Sequence, residues 1–291
     1  MATVKRIRPC FERPYEGQAV AFLTQHGKQD LVRDELQAAL GCVLLHTDQY
    51  DTDQLGTFTR DIDRLGSQLD AAKKKIELGM ALTGARVGMG SEGAFGMDPF
   101  THLMPWNTEI VHWTDLDQGL EVTGWAHGAA KSLHRSVKTL QELAQFAAEA
   151  GFPSHHLVVR PDQASHDGIH KGIKDLHSLH QAFEHALATS ATGAVFVEND
   201  LRAFCNPTRQ AMIRQAAQDL IDKLLSACPS CARPGFTVKK KVPGLPCLAC
   251  GAKTRLPISE IWHCQVCHTE EERQVNEGEL ANPSRCEFCN P

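Results

Sequence analysis

The sequence has no apolar run long enough to cross a membrane, and it is poor in aromatic residues and in excess charge. Aromatic side chains make up 6% of the 291 residues, and the net charge is −5. Nothing in this composition attracts the chain as a whole to nucleic acid or to an anionic membrane. The first ten residues contain no apolar stretch of signal-peptide length. These absences predict a cytoplasmic protein that does not bind membranes.

Cysteine is concentrated at the end of the chain. Eight of the 11 cysteines follow residue 227. In a reducing compartment, paired cysteines are more often metal ligands than disulfides, and redox Cys-x-x-Cys motifs normally occur singly. Two such turns place four thiolates around one zinc ion, so the spacing predicts two closed, structural zinc sites. The predicted ligands are Cys228, Cys231, Cys247, Cys250, Cys264, Cys267, Cys286 and Cys289.

The spacing leaves the pairing of the four knuckles open. Sequential pairing, first with second and third with fourth, gives loops of zinc-ribbon length. A nested arrangement, with the second and third knuckles inside the first and fourth, is the alternative. Residues 226–291 are therefore predicted to form a double zinc-ribbon domain that could contact protein or nucleic acid. The basic run 239–241 could meet phosphate, but a short basic run is more often a solvated hairpin face.

Residues 1–225 show alternating strand and helix patterns. Strands are predicted at 18–23, 42–45, 86–89, 109–114, 120–125, 157–160 and 194–197. Helices are predicted between them. One ends at Gly41, one begins at Ser67 with Asp70 in capping-box spacing, and one begins at a second capping box, Thr139 with Glu142, and ends at Gly151. Others cover 176–188 and a long stretch after Pro207. This alternation predicts an α/β domain with a mixed, partly parallel sheet and flanking helices.

Polar clusters follow five of the predicted strands. Ligands of open α/β sheets bind beyond the carboxyl ends of strands, so these clusters are candidate binding positions. The predicted contacts to a substrate are Thr24, His26, Lys28, Thr57, Ser91, Arg160, Lys171, Arg202, Asn206 and Arg209. Lys28 lies at a predicted helix start, where free backbone N–H groups favour phosphate.

Acidic residues in the same clusters suit a divalent cation. Asp51, Asp53, Glu92, Glu198 and Asp200 are the predicted Mg²⁺ ligands or general base, and arginines would clamp phosphate oxygens. Taken singly, each cluster has a simpler interpretation as a solvated turn or a structural ion pair. Five clusters at strand ends together favour a real site.

Two further signals are set aside. Gly88-x-Gly90-x-x-Gly93 matches a dinucleotide fingerprint, but Pro99 and Pro105 occupy the stretch where its helix would continue. The histidines around 166–185 are predicted to lie on a solvent-exposed helix face.

Several motifs together resemble a bacterial family of unknown function that has an α/β domain and a cysteine-rich tail. They are Thr24-x-His-Gly-Lys28, Asp51-Thr-Asp-x-Leu-Gly-Thr-Phe-Thr59, Ser91-Glu-Gly-x-Phe-Gly96, Phe152-Pro-Ser-His155 and Asn206-Pro-Thr-Arg209. The first hundred residues also show a strand, a short loop with Lys28 and a helix, then Gly56-Thr57-Phe58 before a lysine-bearing helix, and Thr83-Gly84 before a strand that ends in an acidic, glycine-containing turn. This order is similar to that of the inosine/xanthosine triphosphate pyrophosphatases. That similarity implies that Lys28 touches a triphosphate, that Lys74 or Lys75 reaches in from the second helix, and that Glu92 helps to hold Mg²⁺.

Two functions follow as hypotheses. The first is a Mg²⁺-dependent phosphohydrolase acting on a nucleotide or a similar phosphorylated small molecule. The alternative is a non-enzymatic, ligand-sensing or regulatory protein whose zinc ribbons bind protein or nucleic acid.

Overall fold

The computed structural model describes residues 12–52, 66–165 and 167–291. Five helices are seen in these ranges: α1 (Lys28–Leu40), α2 (Gln68–Thr83), α3 (Leu140–Ala150), α4 (Leu176–Thr189) and α5 (Pro207–Leu225). The strands are β1 (Ala19–Leu23), β2 (Val43–Thr47), β3 (Val87–Met97), β4 (Pro105–Asp115), β5 (Leu120–Ala129), β6 (His134–Val137), β7 (Leu157–Arg160), β8 (His170–Ile173), β9 (Val195–Asn199), β10 (Thr237–Pro243), β11 (Pro257–His263) and β12 (Glu270–Gln274).

The first sheet is mixed, as predicted. Its strand order is β2-β1-β3-β4-β5, with β1 parallel to β2 and β3, and with β3, β4 and β5 antiparallel. Helix α2 packs on one face, and α1 and α5 pack on the other. Leu36, Trp113 and Leu220 belong to the hydrophobic core between the sheet and the helices α1 and α5. The predicted α/β class with a partly parallel sheet and flanking helices is confirmed.

Local signals explain where the helices begin and end. Gly41 ends α1 in a left-handed conformation that favours glycine. The predicted capping box of α2 is present, with Ser67 and Asp70 satisfying each other's backbone N–H groups. The stretch Gly88–Gly93 lies inside β3, so it forms no dinucleotide-binding turn.

A second sheet, of order β6-β9-β7-β8, carries residues 134–199. It is antiparallel between neighbours and has its own core with α3 and α4, to which Phe146, Val159 and Phe183 belong. The sequence predicts a single sheet for residues 1–225, whereas the structure has two. Strands β6 and β8 have four residues each, of which one is buried in each strand, so they lack the hydrophobic pattern that marks the other strands.

The cysteine-rich tail forms a three-stranded antiparallel sheet, β10-β11-β12. It docks on the first sheet where Gln265 exchanges hydrogen bonds with the backbone of Glu121, at 2.6 and 3.2 Å. Gly235 approaches Leu120 so closely that an added Cβ would lie 2.9 Å from its Cδ1. The tail is therefore packed against the edge strand β5. Across the described ranges, none of the helices has the length and apolar character needed to span a membrane.

Candidate functional site

The eight cysteines of the tail form two tetrads. One contains Cys228, Cys231, Cys264 and Cys267, and the other contains Cys247, Cys250, Cys286 and Cys289. In each tetrad the sulfur atoms lie within 4.8 Å of one another, and the closest pairs are separated by 3.5 to 3.8 Å. A tetrahedron with Zn–S bonds of about 2.3 Å has edges of about 3.8 Å. Disulfide sulfurs would be about 2 Å apart, so the geometry fits two zinc ions.

The knuckles pair in an interleaved order, first with third and second with fourth. Both the sequential pairing and the nested pairing expected from the sequence are wrong. The sheet imposes this order, because Thr237 at the start of β10 and Glu270 at the start of β12 both pair with His263 at the end of β11. The first and third knuckles therefore meet at one end of the sheet, and the second and fourth at the other.

A buried group of charged side chains lies at the carboxyl edge of the parallel strands. The connection from β1 to β2 runs through α1 on one face, and the connection from β2 to β3 runs through α2 on the other. The carboxyl end of β1 and the adjoining part of β3 thus form the topological switch point where open α/β sheets bind ligands. Ser91 and Glu92, which were predicted to follow a strand ending at Met89, lie inside β3, because that strand continues to Met97 in its pairing with β4. Lys28, in the first turn of α1, is 5% exposed at this edge. Its Nζ donates to the backbone oxygen of Ser91 at 2.8 Å and lies 3.3 Å from Ser91 Oγ.

The charge of Lys28 is sensitive to its surroundings. Burial, reinforced by the positive charge of Arg209, lowers the pKa of Lys28 to about 7. Lys75 also lowers this pKa, whereas Glu92 and Glu109 raise it. Near neutral pH the amine is therefore distributed between its neutral and charged forms. Gly27 precedes α1 in a left-handed conformation and brings no side chain to cap the first-turn N–H groups.

Two ion pairs complete the group. Glu92 pairs with Lys75 of α2, whereas the adjacent Lys74 pairs with Glu77 on the exposed surface. Of the two lysines named by the pyrophosphatase resemblance, Lys75 is thus the one that reaches the strand edge.

The second pair joins distant parts of the chain. Glu109 of β4 is fully buried, and its Oε1 accepts from Arg209 Nε at 2.8 Å. Arg209 also donates to the backbone oxygen of Leu201 at 2.6 Å. Gly93 leaves the space for this pair, because an added Cβ would lie 2.6 Å from Arg209 Nη2. Unpaired polar atoms remain beside it: Glu109 Oε2 and both amide atoms of Asn107 are buried without a hydrogen-bond partner among the described residues.

Other predicted site residues form a separate group at the ends of the second sheet. Arg160 pairs with Glu198. Asp200 is held by Arg202, with an Nη2–Oδ2 distance of 2.6 Å, and by the backbone N–H of Gly172. The acids of this cluster therefore bind arginine and backbone donors, which matches the simpler interpretation as structural ion pairs.

Phe204 connects the two groups. The guanidinium of Arg202 lies 4.8 Å from the centroid of the Phe204 ring, and the centroid of the His26 ring lies 6.0 Å from the same point. The segment that begins at Asp200 and leads into α5 thus touches both groups.

The remaining predicted residues surround the same edge or lie on the surface. Thr24 is buried at the end of β1, and Asn206 caps α5 by accepting from the N–H of Arg209. Asp51 is exposed next to Thr52, which donates to Gln25. Lys171 is exposed. Asp53 and Thr57 lie outside the described residues.

The structure thus brings Thr24, His26, Lys28, Ser91, Glu92 and Arg209 to one edge and places Arg160, Lys171, Glu198, Asp200 and Arg202 on the second sheet. Among the described residues, the groups of potential ligands close enough to share a metal ion are the two cysteine tetrads. The carboxylates predicted to bind Mg²⁺ form no such group there, and a Mg²⁺ site stays a prediction.

Glu109 and Asn107 are absent from the predicted site. One signal could have found Glu109: a carboxylate directly beside the apolar pair Ile110-Val111 at the start of a predicted strand. Its partner Arg209 lies 100 residues further along the chain, so the pair itself leaves no local pattern.

Comparison with known proteins now places the chain in a family. A family model described as a domain of unknown function, DUF6671, matches residues 75–291. Because the match covers well over half of the chain, the protein belongs to this family. No curated protein and no solved structure matches it. Membership of a family of unknown function is confirmed, whereas the bacterial origin of that family and the likeness to triphosphate pyrophosphatases stay predictions.

Proposed function

We propose that the protein is a phosphohydrolase that acts on a nucleotide or a similar phosphorylated small molecule at the switch-point edge, with two structural zinc ions in its tail. The observation that carries the proposal is the position of Lys28. Burial next to a second cation destabilises the charged form of a lysine. A bound anion stabilises that charged form, so a lysine in this position favours anion binding.

Three neighbouring features support phosphate as that anion. The first turn of α1 presents its N–H groups without a side-chain cap, and helix N-termini favour phosphate. Lys75 and Arg209 add positive charge at the same edge. Ser91 offers a hydroxyl group beside the amine.

We infer no Mg²⁺ site made by the protein alone from the described carboxylates. Glu92, Glu198 and Asp200 are each ion-paired with a basic side chain. We assign Glu198 and Asp200 to positioning the arginines of the second sheet. Mg²⁺ that takes part in the reaction would then arrive with the phosphates of the substrate.

Phosphate release tests the proposal. The full-length, zinc-loaded protein is incubated with nucleoside triphosphates, monophosphates and sugar phosphates, with and without Mg²⁺. Loss of one charge-assisted contact costs about 1.5–3 kcal/mol, so K28M should reduce kcat/KM by about 10- to 100-fold. K74M, which removes an exposed lysine of α2 that pairs with Glu77, is the control and should be unchanged. Absence of release from every compound, or full activity in K28M, would refute the proposal.

A specific observation also favours a protein partner for the tail. Leu248 and Phe288, each inside a knuckle of the second tetrad, are 65% and 83% exposed. The lysines of β10 that could meet nucleic acid lie beside acids, with Lys239 paired to Glu270 at 2.6 Å. We therefore propose a protein surface over nucleic acid as the contact of this module. A double L248S/F288S variant that retains both zinc ions should lose partner binding; unchanged partner binding in that variant would contradict the assignment.

A further inference from the structure

The side chains of Ser91 and Lys28 lie next to each other. The phosphate-binding role proposed above does not use the Ser91 hydroxyl as a nucleophile. Ser91 lies on β3 with its side chain on the face that packs against α1 and α5, and it is as buried as Lys28. The amine is anchored by its 2.8 Å hydrogen bond to the Ser91 backbone oxygen, which leaves Oγ 3.3 Å away. A neutral amine in this position can donate to the carbonyl and still direct its lone pair at the hydroxyl proton.

We propose that Ser91 is the nucleophile of the site and that Lys28 is the base that removes its proton. The inference rests on the proposed function and adds a covalent phosphoserine intermediate to it. Serine is a weak nucleophile until an adjacent base activates it, and a serine with a lysine base is one of the recurring solutions.

The reaction balances in two steps. Ser91 Oγ bonds to phosphorus, the bond from phosphorus to the leaving oxygen breaks, and the Oγ proton moves to Lys28 Nζ. The leaving oxygen takes a proton from solvent. Water then attacks the phosphoserine and loses a proton to solvent, the Oγ–P bond breaks, and Lys28 returns its proton to Oγ. Nothing is oxidised or reduced.

The charges that face Lys28 set its pH behaviour. They are Arg209 from α5, Lys75 from α2, Glu92 from β3 and Glu109 from β4. Burial, Arg209 and Lys75 lower the pKa of Lys28, whereas Glu92 and Glu109 raise it, and the resulting pKa is about 7. A base must be neutral, so attack on an uncharged reagent should rise with pH through about 7 and then level off. A phosphate substrate carries negative charge, raises the pKa of Lys28 and should move this rise to higher pH.

A neutral, small alkyl fluorophosphonate tests the pair without a known substrate. In this reaction Oγ bonds to phosphorus, fluoride leaves, and Lys28 takes the proton. Peptide mapping by mass spectrometry of the full-length, zinc-loaded protein should find the label on Ser91. Ser226 is an internal reference, since it is similarly buried but its Oγ donates to the Phe236 backbone oxygen at 2.7 Å; it should remain unlabelled.

Substitutions separate the role of Lys28 as a base from its role as a positive charge. K28R keeps a cation that cannot accept a proton at these pH values, so labelling should fall about 100-fold or more. S91A should show no label at this position. An unlabelled Ser91 in the folded wild type, or equal labelling in K28R, would overturn the inference, and the pH profile of the wild type decides the case if K28R does not fold.

Phosphate release distinguishes this inference from the proposed function. Full phosphate release by S91A would mean that water attacks directly, which overturns the nucleophile and keeps the hydrolase. A labelled, Lys28-dependent Ser91 without release from any phosphate compound would support the nucleophile and refute the hydrolase.

Discussion

The interleaved zinc sites predict how many zinc ions survive when knuckles are removed two at a time. Replacing the cysteines of the first and third knuckles with alanine (C228A/C231A with C264A/C267A) destroys one tetrad and leaves the other complete. One zinc ion per chain should remain. Replacing the first and second knuckles removes two ligands from each tetrad, so no zinc ion should remain.

The magnitude follows from the coordination geometry. In the tetrad at the first and third knuckles, Cys228 Sγ lies 3.5 Å from Cys267 Sγ, and Cys231 Sγ lies 3.7 Å from Cys264 Sγ. These separations approach the edge of about 3.8 Å expected for a four-sulfur zinc site. A tetrad that loses two ligands keeps only half of its coordination shell. The binding free energy of structural zinc in finger peptides, about 10–16 kcal/mol, depends on all four ligands.

Zinc content by inductively coupled plasma mass spectrometry, after removal of loosely bound metal, measures the outcome. The other pairings predict different counts. Sequential pairing would leave one zinc ion after removal of the first and second knuckles, and nested pairing would leave one after removal of the first and fourth. Retention of one ion in either of those variants would refute the interleaved assignment. The complementary removal of the second and fourth knuckles controls for unfolding and should also leave one ion.

Three further predictions concern the buried group of the first sheet. In Gly93→Ala the new Cβ would crowd Arg209, so urea denaturation should show a loss of about 1–3 kcal/mol; Gly96→Ala on the same strand meets no atom within 4 Å and should be neutral. Glu109→Ala leaves the buried guanidinium of Arg209 without its partner and should cost about 3–5 kcal/mol of unfolding free energy, whereas an equally stable variant would contradict a buried ion pair. The native pKa of Lys28, about 7, lies below that of an unfolded lysine, so the unfolded state binds more protons between those values and stability should rise with pH across that window. K28M should lack this rise, and parallel stability curves for the two proteins from pH 7 to 10 would contradict it.

Local chemistry made much of the fold predictable. The capping box at Ser67 and Asp70 and the left-handed Gly41 involve groups within one helical turn, so the sequence shows them directly. The strands with continuous apolar patterns were predictable for the same reason. Strands β6 and β8 were not, because each has four residues with a single buried one, and pairing with β9 and β7 decides their conformation.

The same division applies to the sites. The Cys-x-x-Cys spacing by itself predicted groups of thiolates that could hold zinc, because two thiolates on one tight turn are a local property. Which knuckles share an ion was decided only by the antiparallel path of β10, β11 and β12, which brings alternate knuckles to the same end.

At the switch-point edge, the sequence by itself placed Lys28 at a helix start. It predicted that Ser91 and Glu92 follow a strand, whereas both lie inside β3. Only the tertiary structure set Lys28 against Ser91 and buried Glu109 with Arg209, 63 and 100 residues apart. Burial and neighbouring charge, which shift the pKa of the amine and hold the ion pair, arise from the packing of α1, α2 and α5 around the sheet. Residue order specifies which side chains are available, and the distances and local dielectric that shift their pKa values exist only after folding.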